Sequence, residues 1–244
     1  METINYNDLI ITNNNRCKSG SFGTIRKCTY DGKEYALKEF KKPFYLIGKK
    51  RKLSSLSDIN QKGLLTPKFW VKKYNCKSRY LTDWCNGKTI EIYSLYAPTK
   101  EKINILKRVK EQILVMHDEK IIHGDLIGSN IMISSDRNVN IIDFDNSTFD
   151  KHKTVLKHTN DFSNEFIKKY GITKEIDIFL FNILTFSIIN DCSPHLVRQN
   201  ILCNDFKYFD NVESKKVCNT FLLDHKTPNK DFLIDTIDET NFTL

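Results

Sequence analysis

The sequence predicts an α+β, bilobal fold in which a small, mostly antiparallel β lobe with one helix is followed by a larger helical lobe. Short β-like runs separated by turn signals fill residues 8–40 and continue to about residue 90. From Thr99 onward, apolar residues recur instead at helical spacing, with charged residues between them. The pattern changes near residue 88, so we expect one lobe at 1–87 and a second at 88–244, shortened after its central helix.

The β lobe is predicted to contain a hairpin, a short helix and two further strands. The runs Thr24–Tyr30 and Glu34–Phe40 flank Asp31-Gly32, which is a strong hairpin signal. Lys49–Gln61 is predicted to be the helix, because its apolar residues lie on one face. The two further strands and a turn are predicted at Phe69–Tyr74, Tyr80–Trp84 and Asn86-Gly87.

The second lobe is predicted to be built on two long helices. Thr99–Asp118 has apolar residues at helical spacing with charges between them, which is typical of an amphipathic helix. Ile176–Ile189 is apolar almost all round, which indicates a buried helix. Between them, Ile131–Ser134 and Val139–Ile142 are predicted to form a hairpin.

The composition excludes several classes of protein. With 40% hydrophobic and 28% charged residues, the chain is typical of globular proteins. The seven cysteines are odd in number and none has C-x-x-C spacing, so we expect thiols in a reducing compartment and no zinc site or disulfide framework. No segment reaches the roughly 18 apolar residues of a spanning helix, and no conventional secretory signal is present. We therefore expect a cytoplasmic protein, or one delivered into a host cell if it is an effector.

The net charge of +8 is unevenly distributed along the chain. Residues 190–244 are net −3, so the first 189 residues carry +11. The densest basic stretch is Lys38–Lys52, with seven basic residues against the single acidic residue Glu39. A solvated helix face is the simpler interpretation of this cluster, and an anionic partner or surface is the alternative. The charge by itself is no evidence for nucleic-acid binding.

Two signals in the β lobe are weak when each is taken alone. Gly20 and Gly23 lie in a strand–turn–strand segment, where glycines let the backbone approach a phosphate and direct amides at it. A plain hairpin with turn glycines explains the same pattern. Lys38 follows on the next strand and could neutralise nucleotide phosphates, although most lysines are solvated surface residues.

A third signal, in the second lobe, is far more specific. Asp125 and Asn130 are five residues apart in a loop that begins at His123, and Asp143 follows just after a predicted hairpin. That hairpin can return the chain so that the three polar side chains meet. A cluster of this kind suits a hard cation such as Mg²⁺, with one carboxylate left over as a base.

In this order, the signals resemble the protein-kinase-like superfamily over roughly residues 16–189. Gly20, Gly23 and Ile25 match its glycine-rich loop, and Ala36-Leu37-Lys38 is similar to its lysine strand. Leu81–Gly87 is similar to the strand and hinge where adenine binds, with Thr82 as gatekeeper. Met116–Leu126 resembles the approach to the catalytic loop, and Asp177 resembles the buried aspartate at the start of the central helix.

The resemblance implies an ATP- and Mg²⁺-dependent phosphotransferase, and specifically a compact, atypical protein serine/threonine kinase. In such an enzyme Lys38 holds the α/β-phosphates, Asp125 orients or deprotonates the acceptor hydroxyl, and catalysis rests on positioning and charge neutralisation. Asn130, a catalytic-loop residue, and Asp143 hold Mg²⁺. The remaining nucleotide-binding residues implied by the resemblance are Gly20, Ser21, Phe22, Gly23, Ile25, Ala36, Thr82, Asp83 and Cys85.

The chain also departs from the family pattern. The helix glutamate that partners the lysine is missing, and the predicted register puts Lys49 or Lys50 in its place, with Asp58 as the nearest acidic residue. Four further departures lie in or near the loops that carry the resemblance: Lys18 for the first loop glycine, Gly124 for the arginine that reads loop phosphorylation, Ile127 for a lysine and Asp145 for the glycine of D-F-G.

Two alternatives to a protein kinase follow from these departures. H-G-D-L-x-x-x-N followed by Ile-Asp-Phe-Asp resembles small-molecule, sugar and lipopolysaccharide-core kinases equally well. The missing helix glutamate and Ile127 favour a pseudokinase that binds ATP and acts as a binding module. The joint presence of Lys38, Asp125, Asn130 and Asp143 speaks against the pseudokinase.

Overall fold

The computed structural model describes residues 1–12, 18–19, 23–42, 48–73, 76–149, 173–197 and 231–237. The chain divides into two compact units. The first unit contains Met1–Gly87 together with Asn140–Asp145, and the second contains Lys88–Val139 together with Asn146–Leu244. The segment Asn140–Asp145 therefore packs with the first unit, although it follows residue 88 in the sequence.

The first unit is built on a sheet of seven strands: β1 (Glu2–Asn5), β2 (Ile10–Ile11), β3 (Lys18–Ser19), β4 (Gly23–Tyr30), β5 (Lys33–Phe40), β6 (Pro67–Lys73) and β7 (Cys76–Asp83). Their order in the sheet is β1-β6-β7-β5-β4-β2, with β3 pairing to β4. Its neighbours are antiparallel, as predicted, except that β1 runs parallel to β6. The pattern of the first residues did not predict β1, whose burial is confined to Ile4.

The central hairpin β4–β5 has the predicted turn. Asp31 and Gly32 have φ angles of 47° and 73°, and two central residues with positive φ match the twist of the flanking strands. One face of the sheet packs the apolar core of Ile4, Leu9, Cys28, Tyr35, Leu37, Val71 and Leu81. The alternation of side chains along each strand therefore directs Lys38 to the opposite face.

One helix, α1 (Lys50–Leu56), packs in the first unit through Leu53 and Leu56. Trp70 on β6 donates its indole N–H to Ser54 Oγ at 3.0 Å, which ties the helix to the sheet. The predicted extension to Gln61 is wrong. The Ser57 hydroxyl and the Ser57 amide both donate to the carbonyl of Ser54, so side-chain bonding competes with the helical pattern at this end.

From Gly87 onward the chain carries the predicted helices and hairpin strands. The predicted turn at Asn86-Gly87 is replaced by the start of a short strand. The long helix matches its predicted bounds, and the buried helix begins two residues earlier than predicted. The elements are β8 (Gly87–Thr89), α2 (Ile90–Ser94), α3 (Thr99–Asp118), β9 (Ile121–Ile122), β10 (Ile131–Ser134), β11 (Val139–Ile141), β12 (Thr148–Phe149) and α4 (Lys174–Ile189).

Helix α4 forms the centre of the second unit and is buried from Ile176 to Ile189. Its polar residue Asn182 is satisfied by the chain near residue 232: Asn182 donates to the carbonyl of Asp231 at 3.0 Å and accepts from the amide of Leu233 at 2.9 Å. Among the described residues, none of the helices is both long and apolar enough to span a membrane.

Candidate functional site

Lys38 lies on β5 with its ammonium group between two aspartates of the first unit. Lys38 Nζ is 2.5 Å from Asp143 Oδ1 and 2.7 Å from Asp145 Oδ2. The Lys38 side chain is only 10% exposed, so it is held out of bulk water. Burial by itself lowers the pKa of this lysine, but Asp145 first and Asp143 second outweigh burial and raise the pKa above its ordinary value. Lys38 is therefore a fixed positive charge.

The segment that carries both aspartates is anchored to the first unit by its backbone. The amide of Ile141 donates to the carbonyl of Gly63 at 2.8 Å, and the amide of Leu65 donates to the carbonyl of Ile141 at 3.0 Å. Asp143 then adopts a positive φ of 64°, an uncommon conformation for a residue with a side chain. Phe144 is buried immediately after it. These anchors bring Asp143 to Lys38.

Asp145 is the more buried of the two aspartates and has further contacts. Its side chain is 6% exposed against 33% for Asp143. The buried hydroxyl of Tyr80 donates to Asp145 Oδ1 at 2.6 Å, and burial followed by the charge of Asp145 raises the pKa of Tyr80. Lys52 on α1 donates to the main-chain carbonyl of Asp145 at 3.2 Å. Burial and the nearby Lys49 lower the pKa of Lys52 to about 8, although Asp145 opposes that shift.

Three of the predicted nucleotide-binding residues, Ile25, Ala36 and Thr82, lie on the face of the sheet that carries Lys38. Ile25 on β4 lies directly opposite Lys38, and Thr82 on β7 lies directly opposite Ala36, two residues before Lys38. Residues that are opposite or two apart point to the same side of a sheet. Asp83 is exposed at the end of β7, and Cys85 is half-buried just after it.

The glycine-rich segment is described only in part. Gly20, Ser21 and Phe22 lie outside the described residues. Gly23 begins β4 opposite Phe40, and a Cβ at this position would overlap the carbonyl of Glu39 on the neighbouring strand. Close approach of two strands thus explains this glycine without any ligand.

Asp125 and Asn130 are brought together in the loop that follows β9 in the second unit. Asn130 donates its side-chain amide to the carbonyl of Asp125 at 2.8 Å, and the amide of Ile127 donates to the same carbonyl at 2.9 Å. Asn146 Nδ2 lies 3.4 Å from Asp125 Oδ2 and donates to it. These bonds fix the loop and orient both side chains.

Asp177, at the start of α4, holds the beginning of the same loop. It is fully buried and accepts the backbone amides of His123 and Gly124, each at 2.8 Å. Its Oδ2 also lies 3.0 Å from His117 Nε2 on α3. The resemblance pointed to Asp177, whereas the role of His117 was not predicted. A positive φ of 74° at Gly124 accompanies this anchoring.

Sequence reasoning missed the contacts of Tyr80, Lys52 and Asp145. The sequence did show that Asp145 replaces the glycine of D-F-G, which could have pointed to an acidic side chain near Lys38. It also showed that α1 has no acidic residue, which could have pointed to a different role for Lys52. The expected register placed Lys49 or Lys50 where the family has its glutamate. The structure instead places Lys52 against Asp145, because Leu53 and Leu56 both turn into the core.

The oxygen donors at the predicted metal-binding positions are of the kind that Mg²⁺ prefers. Asp143 offers a carboxylate, and Asn130 offers its amide oxygen because its Nδ2 is used by Asp125. Among the described residues, no three histidines, cysteines, aspartates or glutamates cluster as a metal site. Each of the two residues, taken by itself, offers the kind of oxygen ligand that Mg²⁺ accepts alongside substrate phosphates.

The chain is similar in sequence to known protein kinases. The sequence model of the protein kinase domain matches residues 16–233. The chain is 23% identical over 206 residues to a leucine-rich repeat receptor-like protein kinase of Arabidopsis thaliana, which covers 78% of this chain and 31% of that protein. An RGS domain-containing serine/threonine-protein kinase of Dictyostelium discoideum is 24% identical over 211 residues, covering 81% and 18%. The interferon-induced, double-stranded RNA-activated protein kinase of Mus musculus is 24% identical over 238 residues, covering 80% and 44%.

The matches leave much of each relative uncovered. The chain spans less than half the length of each of these three proteins.

Proposed function

The chain belongs to the protein kinase family, and from this premise we propose that it is an ATP- and Mg²⁺-dependent protein serine/threonine kinase of compact, atypical build. The expected α+β, bilobal kinase fold class is confirmed by the family match. The finer assignment rests on the residues described above and on the names of distant relatives. We also propose that the lobes are 1–87 and 88–244 and that the protein acts in the cytoplasm.

The observation that carries the proposal is the pairing of Lys38 with Asp143 at 2.5 Å. A lysine that is buried on a strand and paired with the aspartate of an Asp-Phe-x segment is poised to meet nucleotide phosphates. The neighbouring side chains Ile25, Ala36 and Thr82 offer a largely apolar surface on the same sheet face for the adenine. The glycine-rich segment, the hinge residues Asp83 and Cys85, and Gly23 complete the proposed nucleotide site.

The proposed reaction is transfer of the γ-phosphoryl group of ATP to a hydroxyl. The hydroxyl oxygen of the acceptor attacks the γ-phosphorus, and the bond from that phosphorus to the oxygen bridging it to the β-phosphate breaks. ADP leaves, and the hydroxyl proton passes to the carboxylate of Asp125, to which the Asn146 side-chain amide donates. Lys38 neutralises charge on the α- and β-phosphates.

Mg²⁺, when bound, supplies positive charge to the phosphate oxygens. Asp143 and Asn130 are the residues that we propose as its protein ligands. The Asn130 amide is held by its bond to the Asp125 carbonyl, so its oxygen keeps one orientation.

A serine or threonine acceptor is favoured by the relatives, since the Dictyostelium protein is named as a serine/threonine-protein kinase. A pseudokinase remains the second candidate, because α1 carries no acidic residue and Ile127 replaces a lysine. The sugar or lipopolysaccharide-core kinase has no support among the three relatives described above.

The test is phosphate transfer by the purified chain with Mg²⁺ and γ-labelled ATP. We expect incorporation into the chain itself or into a generic protein such as casein, on serine or threonine. Asp125→Ala should abolish transfer but retain the thermal stabilisation by Mg-ATP, and Asp143→Ala should remove the metal-dependent part of that stabilisation. Asp118→Ala, at the exposed end of α3, is the matched control and should behave as wild type.

The possible results separate the candidates. A wild-type chain that is stabilised by Mg-ATP but never transfers phosphate is a pseudokinase. Transfer to sugar or glycolipid acceptors and not to protein identifies a small-molecule kinase. If Mg-ATP is neither bound nor consumed, the phosphotransferase proposal is wrong.

A further inference from the structure

Lys38 lacks the acidic partner that kinases carry on the helix after the lysine strand. Between Glu39 and Asp58 the sequence contains no aspartate or glutamate. Glu39 accepts from Arg79 Nε at 2.7 Å. Asp58 is exposed beyond the end of α1, and its carboxylate accepts from Ser57 Oγ at 3.3 Å. Neither of the two flanking acids is therefore placed to pair with Lys38.

We propose that Asp145 takes over this role and is the positioning residue that holds Lys38 for the nucleotide phosphates. The inference rests on the proposed function. Asp145 stands where the family has the glycine of D-F-G, and its Oδ2 lies 2.7 Å from Lys38 Nζ. A buried ammonium group needs a counter-charge that stays in place, because an unpaired buried charge is strongly destabilising.

Asp143 cannot be that permanent partner if it also binds Mg²⁺. Its side chain is 33% exposed, whereas that of Asp145 is 6% exposed. A carboxylate that is shared with a divalent cation attracts a lysine less strongly, because the ion's charge dominates the local field. Asp145 is instead anchored by the Tyr80 hydroxyl and stays with Lys38 when Asp143 engages the metal.

Compared with the family pattern, this chain has different charges on the helix and on the loop. The family arrangement places an acid on the helix and glycine on the loop, whereas here a base lies on α1 and an acid on the loop. Lys52 donates to the main-chain carbonyl of Asp145. A glycine at position 145 would keep the main-chain carbonyl that accepts from Lys52 but would leave Asp143 as the one carboxylate paired with Lys38.

The first test is a double-mutant cycle on stability in urea, with the full chain. Asp145→Asn should lower the free energy of unfolding of the wild type. In a Lys38→Met background the same substitution should lower it by less than half as much. Equal costs in the two backgrounds would overturn the pairing. If Asp145→Asn alone does not fold, the double variant should fold again, and its failure to do so also overturns the pairing. Asp58→Asn, the exposed acid beyond α1, should cost the same small amount in both backgrounds.

The second test separates positioning from a purely structural role. Asp145→Gly should lower kcat at least tenfold while KM for ATP changes less than threefold, since Lys38 would lose its transition-state position. Adding Lys52→Glu should raise the kcat of Asp145→Gly at least threefold, because the carboxylate returns to the helix. Lys52→Glu alone should lower kcat. If Lys52→Glu lowers kcat in both the wild type and the Asp145→Gly variant, the proposal that Asp145 replaces the helix acid is wrong.

Different experimental results would contradict the proposed function and the inference about Asp145. An inactive wild type that does not bind Mg-ATP contradicts the proposed function. A wild type that transfers phosphate, with an Asp145→Gly variant that does so equally well, contradicts this inference alone.

Discussion

Tyr80 and Asp145 form a buried hydrogen bond, in which the phenol donates to the carboxylate at 2.6 Å. Tyr80 is 2% exposed, so water does not replace this bond if it is lost. We predict that Tyr80→Phe lowers the free energy of unfolding by roughly 1.5–3 kcal/mol, the range for hydrogen bonds to charged groups. Urea unfolding measures the change. Tyr96→Phe, at a position 81% exposed, is the matched control, and an equal effect of the two substitutions would contradict the prediction.

Gly23 and Gly128 differ in what a methyl group would meet. At Gly23 the added Cβ overlaps the backbone of Glu39, which cannot move without disturbing the β4–β5 pairing. At Gly128 it overlaps the side chain of Glu91, which is exposed and can turn away. We therefore predict that Gly23→Ala costs about 1–3 kcal/mol of stability and Gly128→Ala less than about 1 kcal/mol. Thermal unfolding of both variants checks the order, and the reverse order would show that the strand spacing is not limiting.

Asp177 accepts two backbone amides of the loop at His123 and Gly124, and each bond is 2.8 Å long. Asp177→Asn replaces one accepting oxygen by an NH₂ donor, which would face a donor already in place. We expect a loss of about 2–4 kcal/mol, because a buried donor is left unsatisfied and a charged acceptor is lost. Calorimetric unfolding tests this, with Asp118→Asn on the exposed end of α3 as control. A variant as stable as the control would mean that the amides find other acceptors.

Local patterns predicted most of the elements in this chain. The positive φ angles at Asp31-Gly32 follow from residue type, and α3 keeps the bounds that its apolar spacing predicts. The strand β1 was missed because its pairing partner, β6, lies more than sixty residues away and its four residues show no alternation. The end of α1 was predicted too late in the chain. The helix ends where the Ser57 hydroxyl bonds to the Ser54 carbonyl, and the hydrophobic pattern does not change at that point.

The charged contacts were less predictable than the elements. Motif spacing pointed to Lys38 and Asp143, whose side chains do pair, while their functional roles stay predictions. The contact of Lys52 with Asp145 joins residues 93 positions apart and depends on which side of α1 enters the core. No local signal carries that information, and Asp145 could be read only as a departure from a family motif.

Lys52 has a lowered pKa of about 8, because burial and Lys49 disfavour its charged form more than Asp145 favours it. The ordinary value of 10.5 applies to the unfolded chain. Below pH 8 the folded chain must hold the charged lysine and bears the whole penalty. Between pH 8 and 10.5 the unfolded chain binds more protons than the folded chain, so this group makes the wild type more stable as pH rises.

We therefore predict that Lys52→Met is more stable than the wild type at pH 7, by on the order of 1 kcal/mol after the lost hydrogen bond to Asp145 is counted. The difference in the free energy of unfolding between the variant and the wild type should shrink as pH rises from 8 to 10.5. Over this range Lys52 of the folded wild type loses its proton, and the cost of burying a charged lysine disappears. Urea unfolding of both proteins at pH 7, 8, 9 and 10 measures the difference. Lys50→Met, two residues earlier on the exposed side of α1, is the matched control for removing a lysine from this helix. A constant or growing advantage of Lys52→Met with pH would show that burial does not penalise the charged form of Lys52.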